Sequence, residues 1–275
     1  METRYLADQV RYQRMTTEEL RQTFLIEDLF QAGKVVLYYT EADRGVVGSV
    51  VPLDKSLQLP AGKELAAEHF ADRREVGVIN ISSAGIVTVD GQMYELNNLD
   101  GLYIGRGSKK ITFNSKDKKS PAKFYLLSYP AHKAYPTKKI SQTDAEKVPL
   151  GSTEMSNKRV IYKYIRPGAV ESCQLVMGYT ILERGSVWNT MAPHTHERRT
   201  EIYMYFDLND QLLFHFMGMP DQTRHLVVRE GQAIISPSWS IHAGAGTKNY
   251  TFIWGMGGEN QEFGDMDGID MSGIK

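Results

Sequence analysis

A mainly β protein built as two similar halves, with a short N-terminal helix, is what this sequence predicts. Three observations carry the prediction. Short apolar runs recur along the chain, broken by Gly, Pro and Asp, as in sandwiches and barrels. Helix-start signals are few and the best lies near the N-terminus. Short strings of the first half return, in order, in the second.

The helix comes first. Thr16-Thr17-Glu18-Glu19 precedes Leu20, Phe24 and Leu25, so Thr16 can cap a helix and Glu19 can close a capping box. Strands follow at Val35–Tyr39, Val46–Val51, Val76–Ile81 and Ile86–Val89. Val89-Asp90-Gly91 reads as a tight hairpin turn, since Asp-Gly accepts the positive φ such a turn needs. Tyr135 to Lys139 and a polar stretch to about Gly151 read as the connection between two β domains. Beyond it, strands are expected at Val160–Ile165, Leu175–Leu182, Ile202–Phe206, Leu212–Met217, His225–Val228, Ala233–Ile235 and Tyr250–Trp254. The repeat pairs Asp72-Arg73-Arg74-Glu75 with Glu197-Arg198-Arg199-Thr200-Glu201. It also pairs Gly105-x-Gly107-x-x-Lys110 with Pro237-x-Trp239-x-x-His242.

Composition narrows the function classes. The 275 residues are 41% hydrophobic, which suits a folded globular chain. A formal net charge of -1 gives no reason to expect nucleic acid or an acidic membrane as partner. Cys173 is the single cysteine, so no intrachain disulfide can form. Met1 to Met15 has no apolar signal core, and no stretch approaches the ~20 apolar residues of a membrane helix. A cytoplasmic protein is expected.

The strongest chemical signal is Pro193-His194-Thr195-His196-Glu197-Arg198-Arg199-Thr200-Glu201. In a strand, residues two apart face the same way, so His194 and His196 would aim two imidazoles at one point. Glu201 adds a carboxylate, and His242 follows Pro237 as a fourth ligand. A lone His-x-His is often a surface pair; the glutamate and the later Pro-x-x-x-x-His make a metal site the better reading. Three histidines and a glutamate form an N/O set that suits zinc, with iron, manganese, nickel and cobalt as alternatives. His69, His132, His215 and His225 lack such company and read as structural or exposed.

His194-Thr195-His196 followed by Glu201, and Gly231 with Pro237 and His242, resemble the two cupin motifs. A closer match lies in longer strings. Trp188-Asn189-Thr190-Met191, His194 to Arg199, Ile235 to His242, Tyr250 to Met256, Gly258-Glu259-Asn260-Gln261 and Asp265-Met266-Asp267 resemble the bacterial 5-keto-4-deoxyuronate isomerases, a cupin family. Arg74-Glu75-x-Gly77-Val78-Ile79-Asn80 and Pro121 to Tyr125 match in the first half, so the resemblance runs from about residue 17 nearly to the C-terminus. It implies a double cupin of two jelly-roll halves, a homohexamer, and one zinc per chain on His194, His196, Glu201 and His242. Residues 1–140 are then an N-terminal half without metal. It keeps Glu75, has Lys110 where the last histidine would fall, and lacks His-x-His. Residues 151–275 are the metal-binding half.

The resemblance also implies the reaction: 4-deoxy-L-threo-5-hexosulose uronate to 3-deoxy-D-glycero-2,5-hexodiulosonate, through a zinc-stabilised enediolate, in the breakdown of pectin-type polymers. The metal would act as a Lewis acid while a base moves the proton between two carbons. Glu259, after a strand that ends near the barrel mouth, is a candidate base. Arg199 and Arg198 are candidate carboxylate clamps, with Arg199 on the Glu201 face by alternation. Tyr203 and Tyr205 share that face, with Tyr203 a candidate substrate contact. Competing readings are a 5-deoxyglucuronate isomerase, a metal-dependent cupin oxygenase and a non-catalytic sugar-binding cupin.

Overall fold

The computed structural model describes residues 1–275. The chain forms two compact units, each with a seven-stranded and a four-stranded sheet, the double cupin that the sequence predicts. In the first unit the larger sheet runs Glu2–Arg4, Val35–Thr40, Val46–Val50, Phe124–Pro130, Arg74–Asn80, Gly101–Ile104, Lys138–Ile140. In the second the order is Glu146–Leu150, Arg159–Ile165, Val176–Leu182, Thr251–Gly258, Arg199–Phe206, Ala233–Ser236, Leu25–Ile26. The smaller sheets also correspond, Leu57–Gln58, Ile111–Ser115, Gly85–Val89, Gln92–Leu96 against Trp188–Asn189, Ile241–Gly246, Leu213–Met219, Gln222–Val228. Inward side chains such as Val76, Val78, Leu102, Ile104, Phe113, Phe124 and Leu126 make the first unit's core.

Local signals act as their chemistry predicts. Thr16 caps a helix over Thr17–Phe24, with Glu19 N–H donating to its hydroxyl (3.3 Å) and Thr16 N–H donating to the Glu19 carboxylate (2.7 Å). Asp90 (φ 49°) and Gly91 (φ 90°) form the tight turn between Gly85–Val89 and Gln92–Leu96. A further helical turn, Gln9–Tyr12, is too short to leave a period in the sequence. Its Tyr12 is fully buried, donates to the Met217 carbonyl (3.0 Å), and meets Trp239 edge-on at 5.2 Å. Gly218, at φ +108°, leaves room for that ring; an added Cβ would collide with the Tyr12 hydroxyl.

Three features differ from the linear reading. The units are discontinuous. Residues 5–28 pack with the second unit, whose larger sheet takes the strand Leu25–Ile26, and residues 164–176 pack with the first, where the Glu75 carboxylate holds the backbone of residues 173–175. The polar connection holds two edge strands, Lys138–Ile140 and Glu146–Leu150. Their lysines, glutamate and proline are what a solvent-facing edge tolerates, so they hide as linker.

The third difference is a register correction. Glu75 is not the counterpart of Glu201. Val76 pairs with Ile104 in the first unit as Glu201 pairs with Ser236 in the second. Val76 points into the core, and Glu75, one residue earlier, points to the other face. There its carboxylate accepts from the backbone N–H of Cys173 (2.7 Å), Gln174 (2.7 Å) and Leu175 (2.9 Å) and from the Tyr103 hydroxyl (2.8 Å). Glu75 thus ties residues 173–175 into the first unit. Glu75→Ala leaves buried donors without acceptors, each costing about 1–3 kcal/mol. The expected loss is ~3 kcal/mol or more, read from the denaturant midpoint; a loss under ~1 kcal/mol would show that other acceptors replace the carboxylate.

Candidate metal centre

The central strand Arg199–Phe206 places Arg199, Glu201, Tyr203 and Tyr205 on one face, and every residue of it is buried. His242 comes from the facing sheet, on Ile241–Gly246, paired across from Met217. His194 lies on a two-residue strand, His194–Thr195, paired with Asp267–Gly268. His196 lies just past it in a turn closed by Arg199 N–H to the His196 carbonyl (3.0 Å). The two histidines therefore do not share one extended strand as alternation suggests, yet their rings still converge.

The four side chains meet at one point. Nε2 of His194 lies 3.1 Å from Nε2 of both His196 and His242. Glu201 Oε2 lies 3.0 Å from His196 Nε2 and 2.8 Å from His242 Nε2. All four ligand atoms fall within 4.8 Å of one another, a group that could hold a metal ion. His196, Glu201 and His242 are nearly sealed from solvent.

The donor chemistry fits a cation. His196 Nδ1 lies 2.6 Å from the Asp265 carbonyl and His242 Nδ1 3.4 Å from the Ser240 carbonyl. A carbonyl only accepts, so each Nδ1 carries the proton and each Nε2 of the neutral ring presents a lone pair. Two such lone pairs and a carboxylate then aim at one point, an arrangement that repels itself until a positive charge enters. Burial and the adjacent His242 push the His194 imidazole down to about 3, so it too stays neutral and able to ligate. Burial acts to raise the Glu201 carboxyl, but His242 and His196, whenever they carry a second proton, outweigh it and hold the group well below the usual carboxylate range. For a tetrahedral ion with ligands at ~2.0–2.2 Å the donors would sit ~3.3–3.6 Å apart, a few tenths beyond the four distances given above.

The cluster opens onto a cavity of about 250 Å³. Its walls are mostly apolar, with Ile161, Phe252, Trp254, Met256, Phe263 and Met266 prominent. Besides the ligand set, the polar lining is Arg159, Thr180, Thr190 and Tyr203. The Tyr203 hydroxyl lies 3.0 Å from Thr190 Oγ1, and burial pushes its phenol well above the usual value.

Other candidate residues lie elsewhere. Arg199 is 1% exposed and donates to the carbonyls of Glu262 (2.8 Å) and Asp265 (2.7 Å); its Nη2 also lies 3.2 Å from His196 Nδ1, and its buried Nε has no partner. Arg198 pairs with Asp265 (Nε at 2.8 Å) and Asp267 (Nη2 at 2.7 Å). Together they brace residues 259–268, the segment that presents the Asp265 carbonyl to His196. Glu259 is exposed, and only its backbone N–H is engaged, with the Arg198 carbonyl (3.0 Å). None of these three side chains lines the cavity, whereas Tyr203 does. Arg159, Thr180 and Thr190 are the polar wall residues that the sequence reading passes over. Extending the strand Val160–Ile165 back by one residue puts Arg159 on the Ile161 face, the signal that would have found it.

Comparison with known proteins adds kinship. The model of the KduI/IolB family matches residues 24–270. A protein of Lachnoclostridium phytofermentans named 4-deoxy-L-threo-5-hexosulose-uronate ketol-isomerase is 55% identical over 276 residues, covering all of both chains. One of the same name from Caldicellulosiruptor bescii is 53% identical, also over the full length of both. Among solved structures, an IolB-like protein from Salmonella typhimurium superposes with a TM-score of 0.72 at 12% identity, over 90% of this chain and 96% of the other, and so speaks to the fold alone. The chain belongs to the KduI/IolB family and is an isomerase.

Proposed function

We propose that this KduI/IolB-family chain is a zinc-dependent ketol-isomerase that converts 4-deoxy-L-threo-5-hexosulose uronate to 3-deoxy-D-glycero-2,5-hexodiulosonate in hexuronate breakdown. The observation that carries the reading is the three-histidine, one-glutamate cluster at the floor of a small cavity, in a chain that shares more than half its residues with ketol-isomerases of that name. The cavity lies just under the ~300–1,000 Å³ of drug-sized ligands, so it suits a monosaccharide rather than a polymer.

The net reaction moves a carbonyl from the terminal carbon to its hydroxyl-bearing neighbour, so one proton leaves carbon and another returns to carbon. His194, His196, Glu201 and His242 would hold the ion. A divalent cation there would supply positive charge, as a Lewis acid, to stabilise negative charge that develops on the substrate's oxygens. Tyr203 stays protonated because its phenol is raised, so it acts as a hydrogen-bond donor to a substrate oxygen and not as the base. Thr190 fixes its hydroxyl. The apolar wall excludes water and suits the substrate's 4-deoxy carbon, where a hydroxyl would be left without a partner. The reading carries a homohexamer in the cytoplasm; one free cysteine suits a reducing compartment.

Metal analysis beside isomerase assay tests the proposal. One zinc per chain is expected, with activity lost on chelation and restored by zinc. Turnover of 5-deoxyglucuronate but not of the 4-deoxy substrate would move the enzyme to the sister activity. Full turnover in metal-free protein would reject the metal's role.

A further inference from the structure

Arg159 is the one permanent cation on the cavity wall. It opens the strand Arg159–Ile165 and is half-buried. Its guanidinium has one hydrogen bond to the protein, from Nη1 to the Asn157 carbonyl (2.8 Å). No carboxylate of the chain pairs with it. The contrast with Arg198, on two aspartates, and Arg199, on two carbonyls, is sharp. A guanidinium has five N–H donors, so most of those on Arg159 are left for solvent or for a ligand in the cavity.

Position completes the argument. Arg159 and Glu201 lie on strands of the same sheet, separated by Val176–Leu182 and Thr251–Gly258. Three strand spacings, about 14 Å, separate the two strands across the sheet, and the register sets Arg159 near Leu182 and Tyr250, further along than Glu201, which pairs with Met256. Both side chains line the one cavity, so a ligand that fills it can touch both. The proposed substrate carries its carboxylate at one end and its reacting carbons at the other.

We propose that Arg159 binds the substrate's carboxylate through a bidentate pair, setting the six-carbon chain so that its aldehyde end meets the metal centre. This rests on the uronate isomerase reading above. Arg159 touches the acid end and not the reacting carbons, so it is a positioning residue. Ile161 lies beside it on the same face of the strand, and a bidentate charge-assisted pair is the strong form of such a contact. The same contact explains selection of an acid over a neutral sugar, and lysine would not replace the fork.

The test is Arg159→Lys and Arg159→Gln, each followed by zinc content, melting temperature and steady-state kinetics. The substrate and its methyl ester are the two probes. The expected result is KM for the acid raised by ~10–100-fold, the worth of a charge-assisted hydrogen-bonded pair, with kcat changed less. Zinc and melting should match the unaltered enzyme, and the methyl ester should be handled equally by enzyme and variants. A KM within twofold of the unaltered enzyme in both variants would overturn the role while leaving the isomerase reading intact. If the unaltered enzyme turns over neither probe, calorimetric binding of the product decides. Binding at least tenfold weaker in Arg159→Lys keeps the carboxylate site and removes only the reaction; equal binding, or none, overturns the site.

Discussion

Glu201→Gln is expected to leave a folded protein whose zinc affinity and isomerase activity each fall by at least ~10-fold, the scale on which even outer contacts of a metal site act. Glutamine keeps the side chain's size and one oxygen but removes the negative charge. In the parent, that charge faces the Nε2 atoms of His196 and His242 at 3.0 and 2.8 Å. With it gone, the ion's charge meets three neutral rings, and affinity falls. The fold should survive, because Glu201 stands in a strand paired over eight positions with Thr251–Gly258, and the unit does not need a metal to close its sheets. His242→Ala should behave in the same way from the facing sheet. Zinc content, melting temperature and kinetics on both variants check this. Metal-free Glu201→Gln protein with full activity would sink the metal mechanism.

The ligand set was legible because each ligand sits where a local rule acts: a His-x-His after a proline, a glutamate opening an apolar strand, and a histidine at fixed distance from Pro237. The helix over Thr17–Phe24 and the Asp90-Gly91 turn were legible for the same reason, since capping boxes and tight turns are written in neighbouring residues. What was not legible depends on register and on distant chain. Arg-Arg-Glu at 73–75 resembles Arg-Arg-Thr-Glu at 198–201, but one missing residue flips the carboxylate to the other face, and only the pairing of Val76 with Ile104 exposes the slip. Arg159 needed the cavity to reveal it, as its own strand shows only an ordinary alternation of residues. The pairing of the Asp265 carbonyl with His196, 69 residues away, leaves no trace in either segment.

That carbonyl decides the role of Arg199. On the Glu201 face of its strand, an arginine reads as a clamp for a substrate carboxylate, and its loss should then raise KM most. The structure gives its donors to Glu262 and Asp265 carbonyls, at 2.8 and 2.7 Å, and the Asp265 carbonyl also accepts from His196 Nδ1 at 2.6 Å. Arg199 therefore holds the acceptor that keeps the His196 proton on Nδ1 and its Nε2 lone pair toward the ion. Arg199→Lys keeps the charge but cannot span both carbonyls. The segment 259–268 should loosen, His196 should lose its fixed tautomer and direction, and zinc affinity should fall by ~10–100-fold, as for other groups that orient a metal-ligating histidine. KM for the uronate should change little once zinc is saturating. Arg198→Lys is the control: its aspartate partners remain, its side chain is a third exposed, and it does not touch the shared carbonyl, so its effect on zinc should be several-fold smaller. Chelator competition measures the affinity, and melting temperature separates a loosened segment from a lost fold. If Arg199→Lys held zinc as tightly as the parent and instead raised KM tenfold, the guanidinium would belong to the substrate after all, and the carboxylate would have two claimants, Arg199 and Arg159.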